Sequence, residues 1–218
     1  MSDERVFRGT AAHLERWRSL LRGGAQRVGW KIGLNPPAAQ ERAGISEPVV
    51  GHMTGSTVVR AGGVYDGTER ATELHVEPEI FVEVGDDGAI AGIGAALEIV
   101  DMDLDVADIE AVLAGDIFHR GVVFGELDET GAGGDLAGLS ARVVHNGEVV
   151  AEPNPAEVIG DVQVLIDLVS RSLAEHGEEL RRGDRIITGT LIPAPKVAKG
   201  DEFALDLGSS GAVSVRFG

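Results

Sequence analysis

Alternating glutamates within an apolar segment are the first sign of chemistry in this sequence. Residues 75–84 read HVEPEIFVEV, and Glu77, Glu79 and Glu83 occupy alternate positions. Side chains two residues apart project from the same face of a β-strand, so these carboxylates share one face and the aliphatic residues share the other. The pattern fits either the solvated face of a half-buried strand or an acidic site.

A third glutamate lies in a second apolar segment. Glu98 interrupts residues 96–100, which read ALEIV. An isolated buried carboxylate is costly, so we expect Glu98 to be paired with a cation. Three carboxylates suit a hard divalent ion such as Mg²⁺ and leave coordination positions open for water or substrate. A salt bridge from Glu98 to one of the arginines is the alternative.

The elements that must position these glutamates are mostly strands. Asn146-Gly147 between apolar alternations indicates a β-hairpin. Local hairpins with few helices predict an α+β fold with a mixed or antiparallel sheet system, rolled or sandwiched. Predicted helices cover 10–22, 36–44, 108–115 and 155–180, the last being the longest, and predicted strands cover 26–34, 56–60, 73–85, 95–104, 121–127, 140–152, 185–190 and 196–218.

Composition limits the function classes. The 218 residues suit one medium domain, and no segment has the apolar length of a membrane span. The formal net charge of −17 argues against nucleic-acid binding and means that an anionic substrate needs local cations. The chain has no cysteine, and its first residues are charged where a signal peptide is apolar. We therefore expect a soluble, cytoplasmic protein.

Five short motifs make the sequence recognisable. VGWKIGL, SEPVVGHMT, VEPEIFVEV, AALEIVD and TGT follow each other in the order seen in the 2-keto-4-pentenoate hydratase family, a branch of the fumarylacetoacetate hydrolase superfamily, and the chain resembles that family from Gly29 onward. The resemblance implies a single catalytic domain over 1–218, with a shortened helical region at 1–28 and a hydratase-like domain at 29–218. It also implies a mixed β-roll or sandwich of the fumarylacetoacetate hydrolase C-terminal-domain type, with flanking helices.

The resemblance also implies a metal centre. Glu77 and Glu79 match the family's Glu-x-Glu ligands, and Glu98 matches its third ligand, for Mg²⁺ or Mn²⁺. The interval from Glu79 to Glu98 is shorter than is usual in the family, so a tight connection is expected there. Lys31 matches the Lys-Ile-Gly lysine and is a candidate general acid or base, whose pKa a nearby dication lowers.

Further site candidates follow from the same match. The Thr190 hydroxyl and the Gly189 N–H are candidates for binding a substrate carboxylate, although Thr190 also fits an ordinary strand end. Residues 116–120 read DIFHR where the hydratases have a segment rich in Asn and Ser. His119 there offers a base, and Arg120 offers a cation for a diacid substrate. His52 is a weaker candidate proton carrier.

The function that the resemblance implies is a metal-dependent hydratase, a hydro-lyase of aromatic catabolism. It would act on a small 2-hydroxy-dienoate or 2-oxo-alkenoate, through a metal-chelated enolate and addition of water. Alternatives are a 2-oxo acid decarboxylase or an acylpyruvate hydrolase of the same superfamily, or a non-catalytic partner subunit of an active homologue. Homo-oligomerisation is also expected.

Overall fold

A computed structural model describes residues 3–218, apart from the side chain of Asp87. Within these residues the chain forms five α-helices and twelve β-strands. The helices are α1 (Glu4–Arg22), α2 (Pro37–Ala43), α3 (Ile109–Ala114), α4 (Pro155–Ile159) and α5 (Val162–Glu175). The strands are β1 (Arg27–Gly33), β2 (Val49–Thr54), β3 (Val58–Val59), β4 (Val64–Tyr65), β5 (Leu74–Val84), β6 (Ile90–Asp101), β7 (His119–Phe124), β8 (Arg142–His145), β9 (Glu148–Ala151), β10 (Arg185–Thr190), β11 (Glu202–Asp206) and β12 (Ala212–Phe217).

The first helix begins earlier than its apolar stripe predicts. The Asp3 carboxylate accepts a hydrogen bond from the Arg5 backbone N–H and caps α1, so the predicted start at Thr10 is wrong. The additional turns pack on α3, where Gly9 lies directly against Leu113. Packing on α3 therefore buries the first turns of α1, although their charged residues show no apolar stripe in the sequence.

The predicted helix over 155–180 is two helices. Gly160 has φ 73°, a left-handed conformation that ends α4, and the Asp161 carboxylate accepts from the Gln163 N–H to cap α5. α1 is therefore the longest of the described helices.

Two mixed sheets form the body of the molecule. The seven-stranded sheet has the order β2-β1-β10-β5-β6-β7-β3, and the five-stranded sheet has the order β4-β12-β11-β8-β9. Most neighbours are antiparallel, but β1 with β10, β3 with β7 and β12 with β4 are parallel. The α+β fold with mixed sheets and flanking helices is confirmed, and so is the predicted hairpin at Asn146-Gly147.

The short interval between the glutamates is a β-hairpin. β5 pairs with β6 along their whole lengths, and a 3₁₀ turn at Asp86–Gly88 connects them. The register places Glu77 directly opposite Glu98. Residues opposite each other in an antiparallel pair share a face, so Glu98 projects on the same side as Glu77 and Glu79.

Both faces of β5 are buried. Val76, Ile80 and Val82 belong to the core between the sheets, which includes Phe203 and Val215 of the second sheet. On the other face, Phe81 packs in a smaller cluster with Met53, Ala96, Val122, Phe124 and Ile187. The glutamates therefore do not lie on a solvated face. No helix in the described part of the chain has both the length and the apolarity to cross a bilayer.

Candidate active site

Three carboxylates converge on the face of the large sheet that carries Phe81, opposite the core between the sheets. Glu77, Glu79 and Glu98 each offer an oxygen, and these oxygens lie within 4.8 Å of one another. Glu79 and Glu98 are fully buried, and Glu77 is half-buried. Glu79 Oε2 accepts a hydrogen bond of 2.7 Å from the Gly189 N–H. Glu79 Oε1 and Glu98 Oε2 have no hydrogen-bond partner among the described residues.

Mutual repulsion and burial disturb the ionisation of this cluster. Burial, followed by the charge of Glu98, raises the pKa of Glu77 to about 7. The same causes, with Glu77 added, raise the pKa of Glu79 well above its ordinary value. Burial opposes the ionisation of Glu98, but Lys31 and His119 outweigh it and lower its pKa. The cluster is therefore short of positive charge.

Lys31 supplies one cation from the centre of β1. It is 1% exposed, and its Nζ lies 2.5 Å from Glu98 Oε1 and donates to the Ile117 carbonyl at 2.8 Å. Burial alone lowers the pKa of Lys31, but Glu98, Glu77 and Asp116 together raise it above its ordinary value. The sequence analysis predicts that a nearby dication lowers the pKa of Lys31. The neighbouring carboxylates of the protein act in the opposite direction and favour the ammonium form.

A strained turn presents the carbonyl that Lys31 binds. Asp116, Ile117 and Phe118 have φ values of 64°, 51° and 65°, so three successive non-glycine residues are left-handed. Such residues are costly unless the surroundings hold them. Here the Ile117 carbonyl receives Lys31, and Asp116 Oδ1 accepts from the His52 backbone N–H at 2.8 Å.

A β-bulge brings His119 to the glutamates. Ile99 pairs with Gly121 but Val100 pairs with His119, so Arg120 is an extra residue in β7. The extra residue turns His119 onto the face of Glu98, and its Nδ1 lies 2.7 Å from Glu98 Oε1.

The partners of His119 fix the position of its proton. The Thr57 hydroxyl donates to the Thr54 carbonyl at 3.1 Å, so its oxygen must accept from His119 Nε2, which is 3.0 Å away. His119 therefore carries a proton on Nε2, and the short contact with Glu98 requires a second proton between Nδ1 and the carboxylate. Thr57 orients His119, which in turn orients a carboxylate of the cluster.

A second buried polar cluster lies behind this centre. His13 Nδ1 is 3.2 Å from His52 Nδ1, and Asp116 lies beside His52 at 3.3 Å. Burial is the main cause that lowers the pKa of His13 to about 3 and of His52 to about 2. Burial also raises the pKa of Asp116 to about 6. Two neutral, stacked imidazoles thus link α1 to β2, which gives His52 a structural task.

A cavity of about 530 Å³ opens beside the carboxylates. Glu77, Gly189 and Thr190 line it, together with residues of α2 and of the loop after β6. The Gly189 N–H is engaged by Glu79, and the Thr190 hydroxyl donates to the Ile192 carbonyl at 2.7 Å. Both residues therefore reach the cavity, but in this arrangement both donors have partners inside the protein.

Two other candidates lie elsewhere. Arg120 lines a separate cavity of about 450 Å³ with His119, and its guanidinium binds Asp103 at 2.7 Å. Glu83 is half-buried and pairs with Arg185 at 3.1 Å, so it is not part of the carboxylate cluster.

Sequence reasoning missed Thr57, Arg42 and the structural use of Asp116. Arg42 lines the cavity beside Glu77, and Thr57 holds His119. Neither residue lies in a motif of distinctive spacing. The bulge in β7 brings His119 to Thr57, and the packing of α2 brings Arg42 to the cavity.

The donor set fits a divalent metal ion. Three carboxylates supply hard oxygen ligands, and two of their buried oxygens lack any partner in residues 3–218. Buried polar atoms without partners are rare in native proteins, so these oxygens indicate a cation. The fold and the site thus define an α+β protein that presents a metal-binding carboxylate cluster to a cavity.

Comparison with known proteins agrees with this class. The model of the family described as Fumarylacetoacetate (FAA) hydrolase C-terminal matches residues 5–217, so the chain belongs to that family. This confirms the family and fold predicted from the motifs.

Individual relatives are more distant. A 4-oxalocrotonate decarboxylase of Pseudomonas putida is 29% identical over 204 residues, which cover 87% of this chain and 77% of the relative. A 2-keto-4-pentenoate hydratase of Burkholderia vietnamiensis is 26% identical over 208 residues, covering 89% and 79%. The solved 4-oxalocrotonate decarboxylase from Pseudomonas putida G7, complexed with magnesium and adipate, has a TM-score of 0.83 at 26% identity and covers 95% of this chain and 84% of its own.

Proposed function

We propose that this protein is a hydratase that adds water to a 2-hydroxy-dienoate. More generally, the chain is a divalent-metal-dependent enzyme of the hydratase and decarboxylase group in its superfamily. The observation that carries the proposal is the cluster of Glu77, Glu79 and Glu98, whose unpartnered oxygens lie beside a cavity of substrate size. Similarity to hydratases and to a magnesium complex of a decarboxylase supports it.

The three glutamates would hold Mg²⁺ or Mn²⁺. The bound cation supplies Lewis acidity for the negative charge that develops on the 2-oxygen of the substrate. Gly189 fixes Glu79 through its N–H, while Lys31 and His119 fix one oxygen of Glu98 and leave the other free. These hydrogen bonds orient the ligand oxygens even without a bound ion. Residues that surround metal ligands commonly have this role.

The proposed reaction needs two proton movements at carbon. A proton added at C5 and the loss of the enol proton convert 2-hydroxypenta-2,4-dienoate into the 2-oxo-3-enoate. Water then adds its hydroxyl at C4, and C3 receives a proton, which gives 4-hydroxy-2-oxopentanoate. Lys31 is the candidate donor, because two of its N–H groups bind Glu98 and Ile117 and the third remains for transfer.

The ultraviolet absorbance of 2-hydroxypenta-2,4-dienoate tests this proposal. We expect decay that requires Mg²⁺ and stops with chelator, with 4-hydroxy-2-oxopentanoate identified by NMR. Glu79→Gln should abolish it, whereas Glu83→Gln on the same strand should not, since Glu83 is paired to Arg185. If the wild type with Mg²⁺ leaves this substrate unchanged, the five-carbon monocarboxylate is the wrong substrate. If a dicarboxylic 2-hydroxy-dienoate is also left unhydrated, the hydratase proposal is wrong.

Decarboxylation is the second candidate, because decarboxylases are among the most similar relatives and include a structure with a TM-score of 0.83. It uses the same stabilisation of charge on the 2-oxygen. Release of CO₂ from a six-carbon 2-oxo-enedioate, with no hydrated product, would favour it over hydration. Acylpyruvate hydrolysis ranks third, and an intact carboxylate cluster argues against a non-catalytic subunit.

A homo-oligomer is also part of this proposal. β9 is an edge strand of the smaller sheet, and its Val149 and Val150 are 53% and 51% exposed. Exposed valines on an unpaired edge favour pairing with a second copy. Light scattering tests this, with Val150→Lys expected to give the smaller species. The cytoplasmic location stays a prediction.

A further inference from the structure

An arginine that has no partner within the described part of the chain lies in the wall of the cavity beside the carboxylates. Pro36, Ala39 and Arg42 are spaced by three residues and all line the cavity, so one face of α2 is turned toward it. Arg42 is exposed in the last turn of α2. Its guanidinium makes no hydrogen bond or ion pair with the described side chains, whereas most arginines of this acidic chain are paired with carboxylates.

The rest of this wall offers no comparable cation. The charged residues that line the cavity besides Arg42 are Glu73, Glu77 and Asp105. His75 also lines it, but its Nδ1 lies 2.9 Å from the Ala194 carbonyl, which can only accept a hydrogen bond. Its Nε2 lies 3.5 Å from Glu73 Oε1, so both ring nitrogens of His75 face acceptors of the protein. Among the described residues that line the cavity, Arg42 is the only arginine or lysine.

The distances along α2 suit a short diacid. Asn35 lies against Gly189, whose N–H binds Glu79, so this end of the cavity wall adjoins the carboxylate cluster. Arg42 follows Pro36 by six residues, which is about 9 Å along the helix. An extended six-carbon diacid spans about 6 Å between its carboxyl carbons, and the arginine side chain covers the remaining distance.

We propose that Arg42 binds the distal carboxylate of a dicarboxylic 2-oxo acid whose 2-oxo acid end lies at the Glu77 side of the cavity. The inference rests on the proposed function and narrows its substrate class to dicarboxylates. Apart from Arg42, the charged side chains that a second carboxylate would meet in this cavity are Glu73, Glu77 and Asp105, in a chain with net charge −17. Arg42 takes the role that the sequence suggests for Arg120, whose guanidinium is committed to Asp103 in another cavity.

The test compares two ligands that differ only at the distal end. 2-Oxoadipate and 2-oxohexanoate share the 2-oxo acid group, and only the first has a second carboxylate. Binding to the Mg²⁺-loaded protein is measured by calorimetry. We expect the wild type to bind 2-oxoadipate about ten- to a hundredfold more tightly, the range of a charge-assisted hydrogen bond.

The variants separate the subsite from general effects. Arg42→Gln should remove the preference and leave 2-oxohexanoate binding unchanged, and Arg42→Lys should keep part of it. Arg60→Gln changes the net charge equally at an exposed position outside the cavity, and it should behave as the wild type.

Three outcomes overturn the inference. If the wild type binds both ligands equally, or if Arg42→Gln weakens both equally, the distal subsite is wrong while the metal-dependent site stands. If neither ligand binds with Mg²⁺ present, the proposed function fails, and the inference fails with it.

Discussion

At the scale of single residues, the site is a set of charges that are only partly balanced by protein groups. Three glutamates form one cluster, and Lys31 and His119 both bind the same oxygen of Glu98. Glu98 Oε2 and Glu79 Oε1 have no partner among residues 3–218. Lys31 and His119 hold Glu98 in place but do not neutralise the cluster. A bound metal ion would supply the missing positive charge.

Thr57 should fix the orientation of the His119 ring. Thr57→Val removes the acceptor of the His119 Nε2 proton, so we expect activity or metal affinity to fall by about ten- to a hundredfold. The ¹⁵N shifts of the His119 ring should change with it. Thr57→Ser keeps the oxygen and should keep both properties. Equal losses in the two variants would show that the hydroxyl has no such role.

The sequence could predict the glutamates, because alternate spacing places Glu77 and Glu79 on one face and the motif match adds Glu98. The sequence could not predict the direction of the His119 side chain, since that depends on the extra residue in β7. The solvated-face interpretation failed for a related reason. Alternation shows that residues share a face, but only the curvature and packing of the sheet decide whether that face is covered.

At the scale of elements, close approach of β1 to β10 is what joins Lys31 to the glutamate strands. Gly29 has φ 148° and starts the pairing with Arg185, and a Cβ there would collide with the Arg185 backbone carbonyl. The parallel pair continues to Lys31, which lies opposite Ile187. Glycine at this position therefore places the lysine in the site.

Replacement of Gly29 should disrupt this pairing. We expect Gly29→Ala to lower the free energy of unfolding by about 4 kcal/mol or more, because backbone atoms would have to separate. Gly24→Ala is the matched control, since Gly24 has φ 94° but open space around its Cα, and it should cost only about 1–2 kcal/mol. Urea unfolding measures both. Similar losses would mean that the conformation of Gly29, and not the contact, is the cause.

Element boundaries were less predictable than the elements themselves. Most strands and the hairpin follow from apolar alternation and from Asn146-Gly147, but β2 and β4 lie in segments where the sequence pattern predicted no strand. The break between α4 and α5 had a signal, since Gly160 followed by Asp161 is a helix stop and then a cap. The early start of α1 had only Asp3, and its first turns are held by α3, a contact between distant segments that no local pattern reveals.

At the scale of the whole molecule, the buried histidines tie folding to pH. His13 on α1 and His52 on β2 are neutral, because burial lowers the pKa of His13 to about 3 and that of His52 to about 2. The unfolded chain takes up these protons near pH 6.5, so the stability they contribute is complete above that pH and is lost as the pH falls from about 6.5 toward 3. The raised pKa values of Asp116 and Glu77 act in the opposite direction.

The histidine contribution can be isolated with a double variant. Between pH 7 and pH 5 each buried histidine should cost about 2 kcal/mol of unfolding free energy. We therefore expect His13→Gln/His52→Gln to lose about 4 kcal/mol less than the wild type over this interval, whereas His145→Gln in the smaller sheet should follow the wild type. Parallel pH profiles for the double variant and the wild type would refute the assignment.

Metal occupancy measured on the same samples as turnover tests the central claim most directly. Metal-free protein is titrated with Mn²⁺, free ion is counted by electron paramagnetic resonance, and decay of the dienoate or release of CO₂ is followed at each point. We predict one tightly bound ion per chain, activity that rises in proportion to that ion, and loss of both in Glu79→Gln. Full activity in the metal-free protein, or tight binding that persists in Glu79→Gln, would contradict the account.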